Sequence, residues 1–147
     1  MSVSDKVMMG CRKYATFFEK LNRNNIYQLE ELVTEDFYFE DPFNKLSGAR
    51  PTMIMFDRMF LQVGNPKFDI LSISWSEKPE SAILKWRFTG DGGRIGKIDF
   101  VGLSELCFDD EGFIKSHVDY WDSGAHFYGK LPLVKHVINY IKKKLHG

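Results

Sequence analysis

A histidine, an aspartate and a tryptophan alternate in the segment Ser116-His117-Val118-Asp119-Tyr120-Trp121-Asp122. In a β-strand, residues two apart share a face, so His117, Asp119 and Trp121 project together. An imidazole beside a carboxylate can titrate near neutral pH and carry protons. If the face looks to solvent, these are ordinary surface residues. If it looks into a cavity, His117 and Asp119 are an acid/base pair. A second carboxylate, Asp41, stands in Phe39-Glu40-Asp41-Pro42-Phe43. At the rim of an aromatic cavity it would be poorly solvated and basic enough to move protons. Otherwise it caps the loop that follows. The local sequence leaves both pairs of readings open.

Other motifs carry less. Gly90-Asp91-Gly92-Gly93-Arg94-Ile95-Gly96 has neither the GxGxxG nor the GKS/T register and lies between two expected strands, so it reads as a hairpin. Cys11 and Cys107 lack CxxC or Cys/His surroundings and read as small buried hydrophobes. Neither a metal nor a cofactor is implied.

The elements that position these residues follow from periodicity. Val7, Cys11, Tyr14, Phe18 and Leu21 recur at helical spacing, and Ser4 or Asp5 can cap the start. A second short helix is expected to carry Ile26, Leu29, Leu32 and Val33. Residues 37–41 read as a strand stopped by Pro42, residues 44–48 as a loop, and Pro51 as the first turn of a third helix running to about Leu61. From Lys67 the period becomes two. Strands are expected over 68–75, 82–89, 97–108 and 113–122, joined by short turns into an antiparallel meander. A last helix places Leu131, Val134, Val137, Ile138, Ile141 and Leu145 on one face, with Lys135, Lys142, Lys143 and Lys144 around it. Helices first and strands later argue for an α+β domain.

Composition bounds the function. The chain has 147 residues, 44% hydrophobic and 15% aromatic, which excludes disorder and allows one well-filled domain. Its 20 basic and 20 acidic residues cancel, which argues against a global nucleic-acid role. With neither a signal-peptide run at the N-terminus nor an apolar stretch of about 20 residues, a cytoplasmic location is expected.

The Phe39-Glu40-Asp41-Pro42-Phe43 motif, the Phe108-Asp109-Asp110-Glu111-Gly112 turn and Tyr120-Trp121 together resemble the ketosteroid-isomerase-like and SnoaL-like branch of the nuclear-transport-factor-2-like (NTF2-like) superfamily. The resemblance implies an α+β cone over residues 1–127, in which N-terminal helices pack on a curved antiparallel sheet around a small-molecule pocket. Residues 128–147 are then an added basic amphipathic helix, expected to pack on the same domain. It also implies that Trp121, Asp119 and His117 point into the pocket and that Asp41 matches the general base of steroid isomerases. In that alignment the oxyanion tyrosine falls on Phe17 and the second donor on Ser104. Phe17 donates no hydrogen bond and Ser104 is no carboxylic acid, so steroid isomerisation by the familial mechanism is not expected. Tyr14, one turn earlier, is an alternative donor.

Three readings result. The first is a cofactor-independent isomerase, cyclase or dehydratase acting on a hydrophobic carbonyl compound. Asp41, His117 and Asp119 are its catalytic set, with Phe17, Phe39, Phe43, Ser104 and Trp121 against the substrate. The second is a binder of a hydrophobic ligand without turnover. The third is a module whose C-terminal helix meets a membrane or a partner. A homodimer through the sheet is expected from the family.

Overall fold

The computed structural model describes residues 3–78 and 80–146. Helix α1 spans Asp5–Glu19, and the Ser4 hydroxyl accepts a hydrogen bond from the Val7 amide at its start. Such a cap contributes about 1 kcal/mol. Ser4 is itself held from the side, its amide and hydroxyl both donating to the Glu80 carboxylate at 2.9 and 3.3 Å. The predicted apolar stripe of α1 is buried, with Val7, Cys11 and Tyr14 wholly excluded from solvent. The next segment is a 3-10 turn, Ile26–Glu31, and Val33 already belongs to strand β1, Val33–Glu40. The expected second helix is therefore shorter, and the strand starts four residues earlier than predicted. Its β-branched and aromatic residues favour pairing once a neighbour is present.

Strand β2, Lys45–Ser47, forms where a loop was expected, paired antiparallel to β1. Three residues are too few to show a period in sequence. Helix α2 covers Ala49–Gln62. Strands β3 (Gly64–Glu77), β4 (Glu80–Asp91), β5 (Lys97–Phe108) and β6 (Ile114–Tyr120) form the predicted meander. The sheet order is β2-β1-β6-β5-β4-β3, and β1 joins β6 in parallel. That parallel pair connects distant parts of the chain and had no local signal. Register shifts within β3–β4 and at the β5–β6 turn bend the sheet.

In β5 the alternation is strict. Ile98, Phe100, Gly102, Ser104 and Leu106 are buried, and Lys97, Asp99, Val101, Leu103 and Glu105 are exposed. The inner face packs on α1 and α2 to make an aromatic core, in which Phe18 meets Phe56 and Phe68 edge-on at 5.6 Å. Near the meander's last turn, Gly112 (φ +89) and Gly10 of α1 touch. A Cβ on Gly10 would stand 1.9 Å from the Gly112 carbonyl oxygen, so α1 can lie this close only without one.

After β6 a four-residue helix α3, Ser123–His126, is capped by the Asp122 carboxylate on the Ala125 amide at 2.9 Å. Helix α4, Pro132–Leu145, forms as predicted. It differs from the expectation of a packed element, because none of its residues is buried. Its main neighbour is the 3-10 turn Tyr128–Lys130 just before it.

Candidate functional site

The strand registers bring the polar residues together. In the β5–β6 pair Ser104 lies opposite Asp119 and Leu106 opposite His117, and in the β1–β6 pair Phe39 lies opposite His117. A chain of four hydrogen bonds runs through them. The Trp86 indole donates to the Ser104 hydroxyl at 2.7 Å, and Ser104 donates to Asp119 Oδ1 at 2.5 Å. His117 Nε2 meets the same Oδ1 at 2.6 Å, and the Tyr14 hydroxyl meets His117 Nδ1 at 2.7 Å. Asp119 Oδ1 accepts from Ser104 and from His117 Nε2, and the Tyr14 hydroxyl and His117 Nδ1 share the remaining hydrogen bond of the chain. Charge assistance explains the short contacts at Oδ1. Burial, then the Asp119 charge, push the Tyr14 phenol well above its ordinary pKa, which keeps it a donor.

Gly102 makes this chain possible. A Cβ there would stand 2.3 Å from the Trp86 ring, so the indole reaches Ser104 only over a glycine. Neither Trp86 nor Gly102 was singled out in sequence, because their contact is cross-strand. Ser104 was reached through the resemblance, and it is the one hydroxyl among the buried positions of β5.

Asp119 marks the wall of a cavity of about 610 Å³, within the range of small-molecule sites. Phe39, Phe43, Trp121 and Asp41 also line it. His117 and Ser104 do not. They stand behind Asp119, and His117 is only 3% exposed. Phe17 faces away, into a wider surface depression between α1 and the 3-10 turn that holds none of the hydrogen-bonded chain. Tyr14 points its hydroxyl at His117 and is not a wall of the cavity.

Asp41 both caps its loop and faces the cavity. Its Oδ1 accepts from the Phe43 and Asn44 amides at 2.8 and 2.7 Å, and Asn44 Nδ2 adds a contact at 3.0 Å. Burial raises its pKa, the turn's hydrogen bonds oppose the rise, and the Asp119 charge adds to it. An Asp41→Asn variant keeps the accepting oxygen and loses the charge. A carboxyl whose folded pKa is raised stabilises the fold below its unfolded pKa and loses that contribution as pH rises through the folded value. The variant should therefore gain on the parent protein as pH climbs from about 3 to about 7. Thermal melts of both proteins over that range test this, and a difference that does not change with pH refutes it.

A further wall residue was missed in sequence. His126 of α3 lines the cavity and stacks on Phe100 at 5.1 Å, as Trp121 does at 4.5 Å. Its ring makes no protein hydrogen bond among the described residues. The Asp122 cap was the available cue that a helical turn, and not a linker, follows β6. Cys11 is unsuited to nucleophilic work, since burial pushes its thiol up to about 12. Among the described residues no three His, Cys, Asp or Glu side chains converge to hold a metal ion.

Known folds of this shape carry varied chemistry. A steroid Δ-isomerase from Pseudomonas aeruginosa has a TM-score of 0.65 at 14% identity, covering 96% of this chain and 98% of its own. An LEH-like epoxide hydrolase from M. tuberculosis has 0.64 at 20% identity, covering 91% and 96%. A protein of ketosteroid isomerase-like fold from Catenulispora acidiphila, in complex with trimethylamine, has 0.66 at 16% identity, covering 80% and 88%. At these identities the likeness is one of fold. No curated protein matches the chain. A SnoaL-like domain model matches residues 14–117, a span bounded by Tyr14 and His117, which are hydrogen-bonded to each other. That span is most of the sequence, and the chain belongs to the SnoaL-like family, on the NTF2-like fold.

Proposed function

We propose that the protein is a cofactor-independent acid/base enzyme acting on a hydrophobic carbonyl compound, as an isomerase, cyclase or dehydratase. One observation carries the reading. Asp119 has one oxygen fixed by Ser104 and His117, while its Oδ2 accepts no hydrogen bond from the described residues at the wall of an aromatic cavity. A carboxylate so held is oriented without being neutralised, and it can take a proton from the carbon beside a carbonyl. His126, with no protein hydrogen-bond partner on the same cavity, is the group able to meet the carbonyl oxygen or return the proton. His117 and Tyr14 act through Asp119 by holding it in place. The experiment is a turnover screen of ring-containing ketones and enones, followed by mass spectrometry and by proton exchange at the carbon next to the carbonyl. Proton exchange that depends on the protein supports the reading, and its absence across the screen counts against it.

The second reading, a binder without turnover, is favoured by a different observation. Tyr14 and Ser104 are both committed within the network, so neither donates into the cavity. This reading expects a hydrophobic molecule to remain bound in native mass spectrometry, with no exchange or turnover. We also propose a homodimer through the outer face of the sheet, where Val101, Leu103 and Tyr120 are 46%, 40% and 57% exposed and Leu103 pairs with Tyr120. Sedimentation should show a dimer that Leu103→Glu with Tyr120→Glu converts to monomer. A monomeric parent protein excludes that interface.

A further inference from the structure

Helix α4 leaves its apolar side in water. Leu133, Val137, Ile141 and Leu145 are 84%, 59%, 49% and 80% exposed. At 3.6 residues per turn, these residues with Val134, Ile138 and Tyr140 span about 160° of arc. Lys135, Lys142 and Lys143 lie beside or opposite that arc. Lys144 falls within it, 5.4 Å over the Tyr140 ring. No acidic residue follows Asp122, so all 20 acids and 15 of the 20 cations precede this segment. Lys130, in the turn before α4, lies near Asp99, and the four lysines of α4 itself, three of them consecutive, have no acid within their own helix.

We propose that α4 is an interfacial helix that lays its apolar side on a bilayer surface rich in anionic lipid. Three features together select this occupant. The apolar arc is wide but the helix is short, and no helix among the described residues is long and apolar enough to cross a membrane. The cations flank the arc and bear no acids among them, which suits a negative plane of headgroups. Lys144 lies inside the arc, where a flexible stem lets the ammonium rise to the headgroups while its methylenes stay buried. A protein groove matching the arc would need acids placed for each of three successive lysines that point in different directions.

The root of the helix extends the surface. Tyr128, in the 3-10 turn that α4 contacts, meets Phe127 at 5.2 Å and Phe43 at 5.9 Å, and Phe43 stands at the cavity. Phe43 and Tyr128 are 47% and 38% exposed. On the enzymatic or binding reading above, a hydrophobic molecule leaving the bilayer would meet the cavity at this aromatic lip. The surface assignment itself does not depend on that reading.

The test is flotation of the full chain with vesicles of phosphatidylcholine alone or containing about one-third phosphatidylserine. The protein should float with the anionic vesicles and stay below with the neutral ones, and high salt should release it. Lys142→Gln, Lys143→Gln and Lys144→Gln together should weaken binding roughly a hundredfold. Val137→Asp with Ile141→Asp should abolish it while the circular dichroism of the sheet persists. Asp119→Asn should float like the parent protein, which separates this proposal from any catalytic one. Equal flotation with both vesicle types overturns the proposal, as does none with either. So does self-association lost in the Val137→Asp, Ile141→Asp protein without vesicle binding, which would make a second copy the occupant.

Discussion

Asp119→Asn should lower turnover of any compound found to react by about 10²–10⁴-fold, the range a positioned general base contributes. The fold should survive. The amide keeps an oxygen that accepts from Ser104 and from His117 Nε2, the two donors now at 2.5 and 2.6 Å. Its nitrogen then occupies the side of the carboxylate that accepts no hydrogen bond from the described residues. Single-turnover kinetics with a melting curve separate the two effects. Turnover within a few-fold of the parent protein removes Asp119 from the mechanism and leaves the ligand-binding reading. Turnover lost together with a collapsed melting curve would mean that the network is structural first.

His117→Phe should be the most destabilising single change at the site. The phenyl ring fits the space, which is walled by Tyr14, Phe18 and Phe39 at ring distances of 5.6, 5.4 and 4.8 Å. It leaves the Tyr14 hydroxyl without an acceptor and Asp119 without one of its donors. Two buried groups are stranded at about 1–3 kcal/mol each, and Asp119 keeps 16% exposure of its side chain, so about 2–4 kcal/mol is expected here, or on the order of 10 °C in melting temperature. Tyr14→Phe alone should cost about 1–2 kcal/mol, from the orphaned imidazole nitrogen. Combined, the two should cost less than their sum, because the stranded hydroxyl is gone. Denaturant midpoints of the four proteins give the coupling, and strict additivity would show that the hydrogen bond carries no stability.

These two residues show where sequence was informative. Their spacing in a strand put His117 and Asp119 on one face, and the resemblance placed that face toward a cavity. Ser104 entered the set through the resemblance alone, and the strict alternation of burial along β5 that explains its place is a finding of the fold. What spacing could not supply was depth. Period two says which face a side chain takes, not how far from the cavity's surface it lies. Asp119 lines the cavity while His117, two residues earlier, sits behind it. The same limit applies to Phe17. Its helix packs so that the ring enters a different depression, and a shift of one position around a helix turns a side chain by about 100°.

The α+β class, the boundaries of α1 and α2 to within a few residues, and the four-strand meander were all determined by the sequence. In each, hydrophobic period and turn residues act locally and point the same way. The parallel β1–β6 pairing, the Trp86–Gly102 contact and the cavity place of His126 were decided by tertiary structure. Each depends on residues far apart in the chain, whose proximity no local period encodes. Helix α4 combines both cases. Its amphipathic pattern was plain in the sequence, but the pattern only says that one side wants cover. That the other described residues do not provide the cover is visible only in the fold, and it changes the helix from a packed element into an exposed surface.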